Sequence, residues 1–248
     1  MTSRVPHIIA LYWVIKIAAT TLGETGADMF SMTLNLGYAT TIALFLSIFL
    51  MFLWLKLQIK RYEPTLYWLT FTATAIAGTA ISDFIDRTLG LGYAVGSALL
   101  LLLLLLTLLH WYWKEGTLSV EKIYTTRAES HYWLAFLLAN TLGTAAGDFI
   151  ADDLKLGFIT SATLIGGLLI VLILLHFTTR ISTIILFWLA FVLTRPFGAT
   201  FGDFLTKPIE SGGIALGTIG ASLFFAVTLT VTLYWEIKRE KSLSPFQS

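Results

Sequence analysis

The chain has 248 residues, of which 56% are hydrophobic and only 12% are charged, and its mean hydropathy is +0.81. Soluble domains carry about 25% charged residues, so this composition excludes a soluble enzyme and predicts a polytopic membrane protein. The net charge of +1 excludes a nucleic-acid binder, and the absence of cysteine excludes disulfides and Cys-based metal sites.

Hydropathy predicts eight transmembrane segments, each long enough to cross a hydrocarbon core of about 30 Å. They cover residues 6–28, 36–57, 65–84, 91–113, 131–149, 157–177, 182–204 and 213–236. The first segment carries Lys16, Glu24 and Asp28, which a cleavable signal peptide would not contain. The predicted fold class is therefore an all-α polytopic membrane protein with one integral membrane domain.

The distribution of charge predicts the orientation in the membrane. An even number of segments places both termini on one side. Eleven of the sixteen Lys and Arg residues lie on that side, three lie on the opposite side, and Lys16 and Arg195 lie inside segments. All eight tryptophans lie near the ends of segments on the side of the termini, where indole rings favour the headgroup level. Because positive loops favour the cytoplasm, we predict that both termini are cytoplasmic.

The odd-numbered segments repeat the pattern Trp-x9-Gly-x4-Asp. Its members are Trp13, Gly23 and Asp28; Trp68, Gly78 and Asp83; Trp133, Gly143 and Asp148; and Trp188, Gly198 and Asp203. Each pattern opens a two-helix unit, so the four repeats enter the membrane in the same direction and are parallel. Their spacing predicts two halves, residues 1–122 with the first four segments and residues 123–248 with the last four. The repeated glycines are interpreted as close contacts between helices.

Two motifs carry a resemblance to a known family. These are K-x3-TTLGETGAD in the first repeat and LTRPFGATFGDF in the fourth. Together with the repeats, they resemble a bacterial family of eight-helix "membrane-anchored" proteins of unknown function, over essentially the whole chain. The resemblance implies the repeat fold and a bacterial inner-membrane location, but no activity. ETGADMF is more weakly similar to the Glu-x-Gly-Asp signature of cation/proton exchangers, although here Glu24 and Asp28 are four residues apart.

Residues four apart share one helix face, and this register gives each odd segment a polar stripe. The stripes are Lys16, Thr20, Glu24, Asp28; Phe71, Ala75, Thr79, Asp83; Phe136, Asn140, Thr144, Asp148; and Phe191, Arg195, Ala199, Asp203. If the odd helices share an axis, the stripes stack as layers. A carboxylate ring lies outermost, followed by Glu24 with two threonines, then Arg195 with Asn140, and then Lys16 among phenylalanines. This order predicts an outward-open acidic vestibule that is closed on its inner side.

The stripes supply the candidate site residues. The candidate ion or substrate ligands are Glu24, Asp28, Asp83, Asp148, Asp203 and Asn140. Glu24 and Asp28 form a candidate metal pair, because oxygen ligands without clustered His or Cys suit Mg, Ca or Mn. Lys16, Glu24 and Arg195 are candidates for proton coupling and charge pairing, since a charge in mid-membrane costs about 2.5–3.5 kcal/mol and survives by pairing.

Two structural alternatives remain open at this stage. The four repeated aspartates, which each precede a short loop, could serve as caps of the turns. Glu24 could form a structural ion pair with Lys16 or with Arg195, holding the first and fourth repeats together. Both alternatives would leave the polar stripes without a ligand.

The leading functional hypothesis is a secondary transporter, not an enzyme, that moves a cation of the Mn, Mg or Ca type and is coupled to protons. One alternative is a proton-coupled transporter of a small anion held by Lys16 and Arg195. Another is an intramembrane aspartate-dependent hydrolase, and a third is a membrane anchor or scaffold. The expected partners are the lipid bilayer and a small ion, without nucleic acid and without a cofactor other than the transported cation. A homo-oligomeric assembly is left open.

Overall fold

The structure, a computed structural model, describes residues 3–243, with side chains to residue 242. Within these residues it is all-helical, with eight long α-helices and no strand. They are α1 (Ala10–Asp28), α2 (Gly37–Gln58), α3 (Pro64–Asp83), α4 (Tyr93–Glu115), α5 (Thr126–Asp148), α6 (Phe158–Thr178), α7 (Thr183–Thr206) and α8 (Thr218–Leu243). The chain ends, predicted above to be cytoplasmic, lie outside the described residues. All eight predicted segments are thus confirmed as helices.

The odd-numbered helices form an inner ring and the even-numbered helices surround it. α1 packs against α3, α3 against α5, α5 against α7, and α7 against α1. Outside them, α2 packs on α3, α4 on α5, α6 on α7, and α8 on α1. Each outer helix therefore covers the inner helix of the following repeat, and α8 closes the circle onto the first.

In the described part of the chain, seven helices are long and apolar enough to cross a membrane, and the remaining helix is α1. Between 56% and 72% of the inner spans formed by α3, α5 and α7 is buried, against 11% to 22% of the outer spans. α1 carries three charged residues that lower its hydropathy, and its neighbours α3, α7 and α8 bury most of it. The outer helices present their leucine-rich surfaces outward, as expected of helices that face lipid.

The repeated glycines allow the inner helices to approach one another closely. A Cβ added at Gly23 would lie 2.5 Å from the Cβ of Ala75, which is too close for any side chain. The same relation recurs around the ring: Gly23 meets Ala75, Gly78 meets Asn140, Gly143 meets Arg195, and Gly198 meets Thr20. In each case the repeated glycine contacts a residue of the next repeat that lies eight positions before that repeat's aspartate. The interpretation of these glycines as helix contacts is confirmed.

Three inner helices change geometry immediately after the repeated aspartate. α1, α3 and α5 continue as single π-helical turns over Met29–Thr33, Phe84–Thr88 and Phe149–Asp153, whereas α7 stays α-helical to Thr206. π-helical turns are rare in proteins, and those that do occur are often found at functional sites. The loops that follow turn through positive φ at the seventh and ninth residues after each of these aspartates: Asn35 and Gly37, Gly90 and Gly92, Lys155 and Gly157.

The predicted tryptophan belt is only partly correct. Trp54, Trp113 and Trp235 are exposed, but Trp68, Trp111, Trp133 and Trp188 are buried in the core. The buried rings pack against tyrosine and phenylalanine rings at the same end of the inner helices, where they gain more contact area than at a headgroup surface. The indole nitrogen of Trp68 also donates a hydrogen bond of 2.8 Å to Glu236 Oε2.

Candidate ion-binding site in the inner ring

The inner ring brings the four polar stripes together in layers spaced by four residues. From the N-terminal end of the inner helices, the layers are Tyr12, Tyr67, Tyr132 and Phe187; Lys16, Phe71, Phe136 and Phe191; Thr20, Ala75, Asn140 and Arg195; Glu24, Thr79, Thr144 and Ala199; and Asp28, Asp83, Asp148 and Asp203. We refer to them as the tyrosine, phenylalanine, arginine, glutamate and aspartate layers. Consecutive layers are about 6 Å apart along a helix.

Arg195 is the ion-pair partner of Glu24. Its Nη2 donates to Glu24 Oε2 at 3.2 Å and to Thr144 Oγ1 at 2.8 Å, and it also donates to Thr79 Oγ1. Its Nη1 donates to the backbone oxygen of Thr20 at 3.0 Å. Both charged side chains are almost completely buried. The guanidinium therefore connects the arginine layer to the glutamate layer, and the predicted pairing of Glu24 with Arg195 is found.

Lys16 lies in the phenylalanine layer, away from any carboxylate. Its Nζ donates to the backbone oxygen of Phe191 at 2.9 Å and to Thr194 Oγ1, and it lies 4.2 Å from the centroid of the Phe191 ring. Among the described residues, Lys16 has no ion-pair partner. The alternative in which Lys16 pairs with Glu24 is therefore wrong in this structure, because two helical turns separate their layers.

Lys207 joins the aspartates of the first and fourth repeats. Its Nζ lies 2.7 Å from Asp28 Oδ2 and 3.1 Å from Asp203 Oδ1. Burial lowers the pKa of Lys207, but the carboxylates of Asp203 and Asp28 raise it, and the result lies above the ordinary lysine value. The two carboxylates thus favour the charged form of Lys207.

Arg87 joins the aspartates of the second and third repeats in the same way. Its Nε lies 3.3 Å from Asp83 Oδ1, and its Nη2 donates to Asp148 Oδ2 at 3.1 Å. Arg87 also donates to the hydroxyls of Tyr93 at 3.1 Å and Tyr38 at 3.5 Å. Two bridges, whose cations come from the second and fourth repeats, therefore complete the aspartate layer.

The aspartate layer is closed in this structure. All four aspartates are only 2–3% exposed, whereas the side chains of Lys207 and Arg87 are 23% and 32% exposed. The two cations thus lie between the carboxylates and the surface. The outward-open vestibule expected from the sequence is not found at this level, because the residue four positions after Asp83 and Asp203 is a long cationic side chain that folds back over the ring.

Three carboxylates converge on one side of the ring. Glu24, Asp28 and Asp203 each offer one oxygen, and these three oxygens lie within 4.8 Å of one another. The predicted pair from α1 therefore gains a third potential ligand from α7. Carboxylate oxygens are the ligand type that suits a hard cation such as Mg, Ca or Mn.

The other candidate ligands occupy different positions. Asp83 and Asp148 lie on the Arg87 side of the aspartate layer. Asn140 is buried two layers away, against Gly78, and its Nδ2 makes no hydrogen bond within the part of the chain that the structure describes. Asn140 therefore makes no hydrogen bond to the carboxylates among the described residues.

The backbone geometry bears on the proposed turn caps. Among the described residues, none of the four repeated aspartates accepts a hydrogen bond from a backbone N–H; their hydrogen bonds and ion pairs go to Lys207 and Arg87. The turns after Asp28, Asp83 and Asp148 are instead formed by residues with positive φ. The alternative in which the aspartates cap the turns is therefore not supported.

Sequence reasoning missed Arg87 and Lys207 as site residues, because it assigned both to loops. The signal was present, since each lies four residues after a repeated aspartate and so continues the same stripe. The corresponding residues of the first and third repeats are Met32 and Asp152. Counting forward as well as backward from the aspartates would have found both cations.

A second buried ionic cluster, which we call the N-terminal clamp, lies at the opposite end of α5. Glu129 Oε2 accepts from Arg4 Nη1 at 2.9 Å, and Oε1 accepts from Lys56 Nζ at 2.9 Å. Lys56 also donates to the backbone oxygen of Arg4 at 2.9 Å. Glu129 and Lys56 are fully buried. From the sequence, Arg4 and Lys56 were counted among the positive residues on the side of the termini, and the structure buries both side chains.

Comparison with known families gives one match. The model of a repeat of unknown function, DUF347, matches residues 11–62, 66–117, 131–182 and 186–242. The chain belongs to the DUF347 repeat family. The resemblance to a four-repeat family of unknown function is thereby confirmed, and each DUF347 repeat corresponds to one inner helix and the outer helix that follows it. No curated protein and no solved structure matches the chain, so the similarity of ETGADMF to cation exchangers has no support.

Proposed function

We propose that this DUF347 protein is a secondary transporter that carries a cation through the inner ring, with Glu24, Asp28 and Asp203 as its ligands. The observation that carries the proposal is the convergence of these three buried carboxylate oxygens within 4.8 Å. They lie inside a ring of helices that the outer helices cover. Buried ionisable groups in such a position are typical of ion pathways and proton relays.

The charge balance of the upper part of the ring favours a cation as the substrate. Among the described residues, five carboxylates face three cations in the arginine, glutamate and aspartate layers, counting the two bridges. The carboxylates are Glu24, Asp28, Asp83, Asp148 and Asp203, and the cations are Arg87, Arg195 and Lys207. Two negative charges remain without a counter-charge. A divalent cation or two protons would neutralise them, which gives a physical basis for exchange of one for the other.

Lys16 does not remove this excess. It lies three layers from the aspartate layer, about 18 Å along α1, and its ammonium is held by a backbone carbonyl and a threonine hydroxyl. Its ammonium therefore makes no ion pair with any of the five carboxylates in the part of the chain that the structure describes. The alternative in which Lys16 and Arg195 hold an anion has less support, since Glu24 already neutralises Arg195.

The hydrolase alternative also has less support. An aspartate dyad works through two carboxyl groups that share a proton. Here Lys207 lies between Asp28 and Asp203, and Arg87 joins Asp83 to Asp148. A cation in each pair favours ion binding over acid–base catalysis.

The proposed placement is a bacterial inner membrane with four parallel repeats and both termini in the cytoplasm. Removing the buried Arg4 and Lys56 from the count leaves nine Lys and Arg residues on the side of the termini, against three on the other side. A topology reporter fused after Ser248 is expected to signal from the cytoplasm, and one inserted at the exposed Asp152 from the periplasm. Exchanged signals would reverse the proposed direction of the pathway.

The residue types found four positions after the repeated aspartates support the two proposed halves, residues 1–122 and 123–248. That position is Met32 and Arg87 in the first half, and Asp152 and Lys207 in the second. A bridging cation thus occurs once in each half, always in its second repeat. The arrangement of the bridges has two-fold rather than four-fold symmetry.

The proposal is tested by transport into proteoliposomes that contain the purified protein. Uptake of Mn²⁺, Mg²⁺ and Ca²⁺ is measured with and without an imposed proton gradient. We expect Glu24→Gln to abolish the uptake seen with the wild type, because it removes one of the three ligands and lowers the excess of negative charge in the ring from two to one. Asp152→Asn, which changes an exposed carboxylate in the same region, is expected to transport normally. Equal uptake by wild type and Glu24→Gln would reduce Glu24 to a structural partner of Arg195.

A further inference from the structure

The two bridging cations of the aspartate layer differ in chemistry. Arg87 presents a planar guanidinium, which holds carboxylates from two directions and cannot lose its proton. Lys207 presents a single ammonium, a compact point charge on a flexible stem. Only the Lys207 bridge shares its carboxylates with the candidate cation site, because Asp28 and Asp203 belong to both.

We propose that the ammonium of Lys207 is a tethered substitute for the transported cation: it holds Asp28 and Asp203 when no cation is bound and leaves them when a cation binds. This inference rests on the proposed function. It assigns Lys207 a role in the exchange cycle of the site, in addition to its role as an ion-pair partner.

The distances require the ammonium and a cation to exclude each other. Lys207 Nζ lies 2.7 Å from Asp28 Oδ2 and 3.1 Å from Asp203 Oδ1. A Ca²⁺ bound by these same two oxygens would sit about 2.3–2.6 Å from them, within the space that the ammonium occupies. Two positive charges at that separation in a buried site repel strongly.

The Asp203 carboxylate is incompletely satisfied by Lys207. Its Oδ1 is buried, and although Lys207 Nζ lies 3.1 Å away, that oxygen makes no hydrogen bond of good geometry within the described chain. A spherical metal ion has no directional requirement and could use this oxygen together with those of Glu24 and Asp28. Gly202 permits the approach of Glu24, since a Cβ added there would lie 3.2 Å from Glu24 Cβ.

Lys207 can move its ammonium without moving its backbone. The residue lies directly after α7, and its side chain is 23% exposed, so an outward rotation brings the ammonium to solvent. Its backbone is fixed at both groups: the N–H donates to Asp203 O at 2.8 Å and the carbonyl accepts from Ala215 N at 3.0 Å. Gly213 packs against the same carbonyl so closely that no Cβ would fit.

Arg87 is held by more side-chain contacts than Lys207. Its guanidinium contacts Asp83 and Asp148 and also donates to Tyr93 and Tyr38. Glu24, the carboxylate of the glutamate layer, lies with Asp28 and Asp203 at the candidate cation site and not on the Arg87 side. The Arg87 bridge is therefore a fixed link between α3 and α5, and the Lys207 bridge is the exchangeable one.

The test is the affinity of the purified protein for Mn²⁺, measured by the free-ion electron paramagnetic resonance signal in detergent. We expect Lys207→Gln to bind Mn²⁺ at least tenfold more tightly than the wild type, because the internal competitor is gone. Lys155→Gln removes an exposed lysine and is expected to bind like the wild type. Binding by Lys207→Gln no tighter than wild type, with both proteins binding, would overturn the inference and leave the proposed function standing. Failure of both to bind would overturn both.

A second measurement separates competition from a simple change in net charge. Because the chain contains no cysteine, Lys207→Cys offers a single thiol. Modification with 2-aminoethyl methanethiosulfonate restores an ammonium at this position, whereas methyl methanethiosulfonate adds a neutral group of smaller size. We expect the aminoethyl adduct to return Mn²⁺ affinity towards the wild-type value and the methyl adduct to keep the tight binding. Equal affinities for the two adducts would contradict a role for the ammonium as competitor.

Discussion

The two buried ionic clusters lie at opposite ends of α5 and have opposite charge balance. In the N-terminal clamp, one carboxylate, Glu129, lies between the two cations Arg4 and Lys56, and both of its oxygens are paired. In the aspartate and glutamate layers, carboxylates outnumber the cations that contact them. A cluster with every carboxylate oxygen satisfied holds chain segments together, whereas a cluster with excess carboxylates can accept a further positive charge.

The two clusters also differ in their relation to the repeat. The aspartate layer uses the same position of all four repeats, and its bridging cations come from the second and fourth repeats. The clamp joins the segment before α1, the end of α2 and the start of α5, which are not equivalent positions. Repeated positions therefore form the inner ring, and positions outside the repeat stabilise the end of the ring at which α5 begins.

The largest expected effect comes from breaking the clamp. Glu129→Gln leaves Arg4 and Lys56 buried without a carboxylate, and we expect it to lower the free energy of unfolding by about 3–5 kcal/mol. Glu24→Gln leaves Arg195 near the remaining excess of carboxylates, so a smaller loss is expected. Unfolding is followed in detergent by tryptophan fluorescence, with the exposed Glu121→Gln as the control. A greater loss for Glu24→Gln than for Glu129→Gln would reverse the comparison.

A smaller effect is expected from the Arg87 side of the aspartate layer. Asp83→Asn removes one of the two carboxylates that Arg87 contacts, while Asp148 retains the bridge, so we expect a stability loss of about 1–3 kcal/mol. Transport is expected to remain partial, because the three carboxylates of the cation cluster are unchanged. Complete loss of transport in a folded Asp83→Asn protein would show that the whole aspartate layer, and not one side of it, carries the ion.

The composition of the layers could be predicted because residues four apart on one helix share a face. The register alone grouped Glu24 with two threonines and Lys16 with phenylalanines, and the structure has both groups. The choice of partner for Glu24 could not be made in this way. Lys16 lies two layers from Glu24 on the same helix, whereas Arg195 lies one layer away on α7, and only the approach of α7 to α1 brings its guanidinium into contact.

The bridging cations and the clamp were missed from the sequence for a common reason. Lys and Arg next to the ends of apolar segments were counted only as loop charges that orient the chain in the membrane. Their long side chains can instead turn inward and bring the charged group to a buried carboxylate. Lys207, Arg87, Arg4 and Lys56 all do so. Arg87 and Lys207 are distinguished by their position four residues after a repeated aspartate, whereas nothing in the local sequence separates Arg4 and Lys56 from the exposed Lys155.

By itself, the sequence determined the helices, the four repeats and the polar face of each inner helix, because hydropathy and spacing along one helix are local properties. Only the tertiary structure decided that each outer helix covers the inner helix of the next repeat, that Lys207 rather than Lys16 meets the carboxylates of α1, and that the aspartate layer is closed. These features depend on distances between segments far apart in the chain, such as the contact of α1 with α7, where Gly198 lets the two helices approach until a Cβ would lie 3.0 Å from Thr20 Cβ.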